Sequence, residues 1–112
     1  MTVGRLLGPV LGPEAVEGPG SLVVTPEGLA WEFRRGFRKR SGVVSWDRIV
    51  KWEAGLQQLG RDSAWVAFVS YGPEKGFLGL HCSGTQQGSD EIRVLTAAAS
   101  EHLPAGVVDA QW

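Results

Sequence analysis

The chain has a single cysteine, Cys82, among 112 residues. No internal disulfide can staple the fold, and one thiol matches the cysteine usage of a reducing, cytoplasmic compartment. Only two histidines, His81 and His102, accompany it, too few for a zinc-ligand pattern. Long apolar runs are also missing: the longest, Ala64–Val69, has six residues, against roughly 18–20 for a bilayer-spanning helix. The stretch Leu6–Leu11 is short, interrupted by Pro9 and not followed by a small-residue cleavage site, so no signal peptide is expected. Net charge is nearly absent, with 11 Lys and Arg against 12 Asp and Glu giving a formal −1. That balance excludes a histone-like basic protein and a disordered acidic tail. No Gly-x-Ser-x-Gly elbow, phosphate-binding loop or dinucleotide fingerprint occurs. His81 and Cys82 are neighbours on a strand-like segment, so their side chains point to opposite faces and cannot form a nucleophile–base pair. Cys82 and His102 could meet if a helix packs on that strand; the alternative is a buried structural thiol. The expectation is a protein without catalysis, metal or cofactor.

What the chain does contain is core material. Hydrophobic residues make up 43%, including five Trp and four Phe, and a chain of this length can bury roughly two-thirds of its unfolded surface as one domain. Residues 1–20 hold eight Gly or Pro and keep no helical or alternating period, which reads as a loose arm or irregular edge preceding a single domain over 21–112. From Ser21 the pattern becomes regular. Leu22–Thr25, the turn Pro26-Glu27-Gly28 and the alternating Leu29–Arg34 form a hairpin. Val43–Trp46 and Ile49–Ala54 read as further strands, broken by a bulge or turn near Asp47-Arg48, with Val50, Trp52 and Ala54 turned to the core. Gln57–Ser63 reads as a polar loop. Ala64–Tyr71, the turn Gly72–Gly76 and Phe77–Cys82 form a second hairpin. After Gly84 the period becomes helical: Ile92, Leu95, Thr96, Ala99 and Leu103 share one stripe. Ser89 is the expected N-cap, and Pro104 stops a helix over 90–103. Trp31, Phe33, Trp52, Leu80, Leu95 and Ala99 are expected to share one core.

Antiparallel strands closed by one C-terminal helix suggest a mainly β fold, and the residues add to this. Gly20-Ser-Leu-Val-Val-Thr25, then Leu29-Ala-Trp-Glu-Phe33, then Val44-Ser-Trp-Asp-Arg-Ile49 resembles the rhythm of bacterial PH-like (pleckstrin-homology-like) and GRAM-like domains over residues 20–103. The resemblance implies an antiparallel β-barrel or sandwich capped by a C-terminal helix. Two departures stand out. No Trp lies within residues 90–103, where PH domains usually carry one, and the turn Pro26-Glu27-Gly28 is short and acidic where lipid-binding members have a basic loop. Lipid recognition at that loop therefore does not carry over, and the fold by itself implies no function.

The most unusual local feature is Arg34-Arg35-Gly36-Phe37-Arg38-Lys39-Arg40, which holds five of the 11 basic residues within seven positions. The rest of the chain then has six basic groups against 12 acidic ones, a formal −6, so charge is segregated along the sequence. Arg34, Arg35, Phe37, Arg38, Lys39 and Arg40 are the candidate binding residues. The cations would attract an anionic surface or an acidic protein, and Phe37 could insert among headgroups or stack on a base. The competing interpretation is a solvated loop paired with acids such as Glu32 and Asp47. The tryptophans of the strand-like segments read as core rather than as a ligand pocket, and Trp112 either packs back onto the domain or is an exposed partner anchor. The leading functional expectation is a non-catalytic module that binds a protein or an anionic membrane surface through its loops. A self-associating structural subunit, as a homo-oligomer, and a small nucleic-acid-binding barrel are the alternatives.

Overall fold

A computed structural model describes residues 2–7, 17–35 and 37–112, and the side chains of residues 19–34, 37, 39–58 and 60–112. The chain is mainly β. Its strands are β1 (Thr2–Leu7), β2 (Glu17–Val24), β3 (Gly28–Arg35), β4 (Arg38–Ser45), β5 (Ile49–Leu59), β6 (Asp62–Tyr71), β7 (Gly76–Ser83) and β8 (Val108–Gln111), and α1 (Gln86–Ser100) lies between the last two. They form one ladder in the order β4-β3-β2-β1-β7-β6-β5-β8. Every pairing is antiparallel except β5 with β8. Among the described residues β4 and β8 are the two ends of this ladder, so no closed barrel is formed.

The two expected hairpins are present, and local chemistry explains the first. Thr25 N–H donates to the Gly28 carbonyl (3.0 Å), and the Thr25 hydroxyl also donates to that carbonyl (2.7 Å) and accepts from Gly28 N–H (3.1 Å). The two residues between them are thereby held in a tight turn. The Trp46 indole N–H donates to the Thr25 carbonyl (2.9 Å), tying the short 3-10 turn Trp46–Arg48 to this hairpin.

One core fills the space between the sheet and α1. Trp52, Leu22, Leu29, Leu78, Leu80, Val69, Ile92 and Ala99 are fully buried, with Phe33 and Leu95 nearly so; each large apolar side chain contributes about 1.5–3 kcal/mol by leaving water. Trp31 is half-buried against the rim of that cluster. The helix is positioned by chemistry as well as by its stripe: the buried Trp52 indole N–H donates to the Thr96 hydroxyl (3.1 Å).

Several expectations are corrected. The segment before Ser21 is not an irregular arm where it is described, since Thr2–Leu7 is an interior strand between β2 and β7 and Glu17–Gly20 belongs to β2; residues 8–16 lie outside the described residues. Val50 points to solvent, because the β5–β6 register shifts between Ile49 and Lys51 and a bulge inverts the alternation there. Ile49, not Val50, is the buried neighbour of Trp52. The polar stretch Gln57–Ser63 continues both strands to a tight turn, with Leu59 opposite Asp62 and Gly60 at φ +64°. The helix starts earlier than its apolar stripe implies: Thr85 is the N-cap, accepting from Gly88 N–H (3.4 Å), while Ser89 is buried inside the first turns and accepts from Arg93 Nε (3.0 Å). It ends at Ser100, so His102 lies in the following turn and stacks on Trp46 at 4.7 Å.

Candidate functional site

The basic segment is the tip of the β3–β4 hairpin. The ladder sets Phe33 against Arg40, Arg34 against Lys39 and Arg35 against Arg38, so two like-charged cross-strand pairs end the hairpin, an arrangement that is unfavourable unless something anionic lies near. Part of the compensation is internal. Glu32 stands 3.6 Å from Arg34 Nε and 3.5 Å from Lys39 Nζ. Both are exposed pairs of small energetic weight, each worth about 0–1 kcal/mol. Arg40 is exposed and has no carboxylate within ion-pair distance among the described residues. Phe37 is fully exposed at the turn. The side chains of Arg35 and Arg38, and all of Gly36, lie outside the described residues.

Below the tip the hairpin is rigidly based. Trp31 packs its ring edgewise against Phe33 at 6.1 Å and covers Gly42 directly opposite, where a Cβ would stand 2.6 Å from the indole. Trp31 is thus used as a structural lid over the hairpin base, and Phe37 is the exposed aromatic of the site.

The cysteine and the two histidines do not converge on a reactive centre. Burial, with Glu91 beside it, pushes the Cys82 thiol up to about 12, so it holds its proton at neutral pH and is a poor nucleophile. His102 is engaged with Trp46 and His81 with Phe68, edge to face at 5.7 Å. Among the described residues no three His, Cys, Asp or Glu side chains come together as a metal site, and no helix is long and apolar enough to cross a membrane.

One concave feature is not legible in the sequence, because it depends on β8. Beside β5, β6 and β8 runs an open groove of about 500 Å³ whose lining includes Glu53, Gln57, Phe68, Asp109 and Trp112. Trp112 packs back onto the domain, 6.3 Å from Trp65, with the Arg93 guanidinium 4.8 Å above its ring. The parallel register puts Glu53 against Asp109. Lys51 bridges to Glu53 at 3.0 Å, and both carboxylates raise the pKa of its ammonium, the hydrogen bond to Glu53 most. The β8 end therefore brings Glu53 and Asp109 together with Lys51, whereas the β3–β4 tip is cationic. Comparison with protein-family models, with curated proteins and with solved structures finds no match for this chain.

Proposed function

We propose that this chain is a non-catalytic interaction module that captures an anionic partner at the β3–β4 hairpin tip. The observation that carries the reading is the segregation of charge onto one hairpin: five of 11 basic residues flank a fully exposed Phe37, on a remainder with a formal −6. A positive projection on an acidic body attracts anions while its own body repels them, which orients a partner toward the tip. An exposed aromatic amid cations adds apolar contact once the partner arrives. The proton-holding Cys82 and the two engaged imidazoles support the non-catalytic part of the reading.

The same proposal includes kinship with PH-like and GRAM-like domains, supported by the run of seven antiparallel strands with β1 beside β7 and the helix that follows them. A cytoplasmic setting goes with it, supported by the single buried thiol.

The test is binding to polyglutamate and to vesicles of phosphatidylserine and phosphatidylcholine at low and high salt. The parent chain is compared with the triple variant Arg38→Ser, Lys39→Ser, Arg40→Ser. The parent should bind at least one probe, and the variant should lose about tenfold or more with a flatter salt response and an unchanged urea midpoint. A parent that binds neither probe at low salt refutes the proposal.

A further inference from the structure

We infer that the partner is an acidic, extended protein segment that adds to the open edge of β4 as a ninth strand. This rests on the anionic-partner reading and specifies its chemistry. Thr25 N–H bonds the Gly28 carbonyl, so Gly28 directs its backbone toward β2. Alternate residues of an antiparallel strand address alternate neighbours. Leu29, Trp31 and Phe33 therefore bond β4 through their register partners Val44, Gly42 and Arg40. By the same alternation Lys39, Ser41 and Val43 turn their N–H and C=O groups away from β3, and β4 has no other neighbour among the described residues. Three consecutive donor–acceptor sets along an eight-residue strand are enough for a short peptide to pair, as in strand addition at other sheet edges.

Charge decides what pairs there. Lysine and arginine on an edge strand normally prevent association, and here they disfavour a second copy: two β4 edges paired antiparallel about Ser41 would make the two Arg40 side chains diagonal neighbours and set Lys39 against Val43, so no cation would meet a carboxylate. The same cations favour a strand whose side chains opposite Lys39 and Arg40 are carboxylates. Further along, Val43 is 55% exposed and offers an apolar cross-strand contact. The hairpin thus selects by repulsion as well as by attraction. The occupant is a segment with acidic residues at the end nearest Phe37 and an apolar residue near Val43.

Three reagents test this. The probe is a capped, fluorescein-labelled eight-residue peptide with Val in its N-terminal half and Glu in its C-terminal half, the order that antiparallel pairing sets against Val43 and against Lys39 and Arg40. Its control is the same peptide N-methylated at every second residue, which keeps all charge but removes the donors facing β4. The variant is Ser41→Pro, which deletes an edge-facing N–H without touching a bond to β3 and leaves net charge unchanged. The peptide should bind the parent, with about tenfold or greater loss on N-methylation, a similar loss for Ser41→Pro, and slowed hydrogen exchange at Lys39, Ser41 and Val43. Equal binding of the two peptides overturns strand addition while leaving the anionic-partner reading standing, and that comparison decides the matter even if Ser41→Pro does not fold. Binding to phosphatidylserine vesicles with no binding of either peptide overturns the inference in favour of a membrane. No binding to peptide, polyglutamate or vesicles refutes both readings.

Discussion

Replacing Thr96 by Val probes how the helix is held on the sheet. The Trp52 indole N–H has its partner in the Thr96 hydroxyl at 3.1 Å; Trp52 is wholly buried and Thr96 3% exposed. Valine nearly preserves the shape and has a similar helix propensity, so the change isolates the hydroxyl. It leaves a donor in the core without water to receive it, which costs about 1–3 kcal/mol. For a chain of this length each kcal/mol lowers the melting temperature by roughly 4 °C, so the variant should melt roughly 4–12 °C below the parent. Urea unfolding followed by tryptophan fluorescence should show the midpoint fall with an unchanged slope. Thr96→Ser is the control: it keeps the acceptor and loses one buried methyl, about 1 kcal/mol. A Val variant as stable as the parent, with a Ser variant less stable than either, would refute the claim that this hydrogen bond docks the helix.

Gly88→Ala distinguishes close packing from helix propensity by its sign. In an open helix the change gains about 1 kcal/mol, but here a Cβ would overlap the Ser83 carbonyl, so a loss of about 1–3 kcal/mol is expected; a more stable variant in urea contradicts the packing. Leu95→Ala, at a site 3% exposed, should cost about 2–5 kcal/mol, and a parental urea midpoint would show that the stripe is not docked there. The Cys82 thiol titrates near 12 in the folded chain against 9.0 ordinarily. The native state then keeps a proton that the unfolded chain releases, so the thiol's contribution is complete below pH 9 and falls as pH rises from about 9 toward 12. Cys82→Ala should flatten stability across that range, and an unchanged alkaline profile counts against the assignment. A disulfide reagent at pH 8 should modify Cys82 only as fast as the chain unfolds; immediate labelling of native protein would show an accessible thiolate.

Elements with a strong local period are legible in the amino-acid order alone. The alternation of Leu29, Trp31 and Phe33, the Thr25–Gly28 turn and the stripe Ile92, Leu95, Thr96, Ala99 each specify their own geometry, because side-chain direction follows backbone period within a single segment. The candidate site is legible for the same reason: a run of cations is visible without a fold. Its form is not, since the register that opposes Arg34 to Lys39 and turns Lys39, Ser41 and Val43 toward an open edge depends on pairings made by the whole of β3.

Where local signals are weak, long-range pairing decides. Thr2–Leu7 is rich in neither alternation nor turn residues, yet it becomes an interior strand because β2 and β7 supply partners on both sides. Val108–Gln111 is too short to signal a strand, and it pairs in parallel with β5 only because the helix returns the chain to that edge. The bulge after Ile49 reverses the faces of Ile49 and Val50, an inversion invisible to a period-two count. By itself the sequence determined which segments prefer strand or helix, which faces are apolar and where positive charge is concentrated, all properties of neighbours along the chain. Only the tertiary structure decided strand order, register and which side chains meet at the two ends of the ladder, because hydrogen bonds between distant segments are formed by the chain as a whole and no single segment encodes its partner.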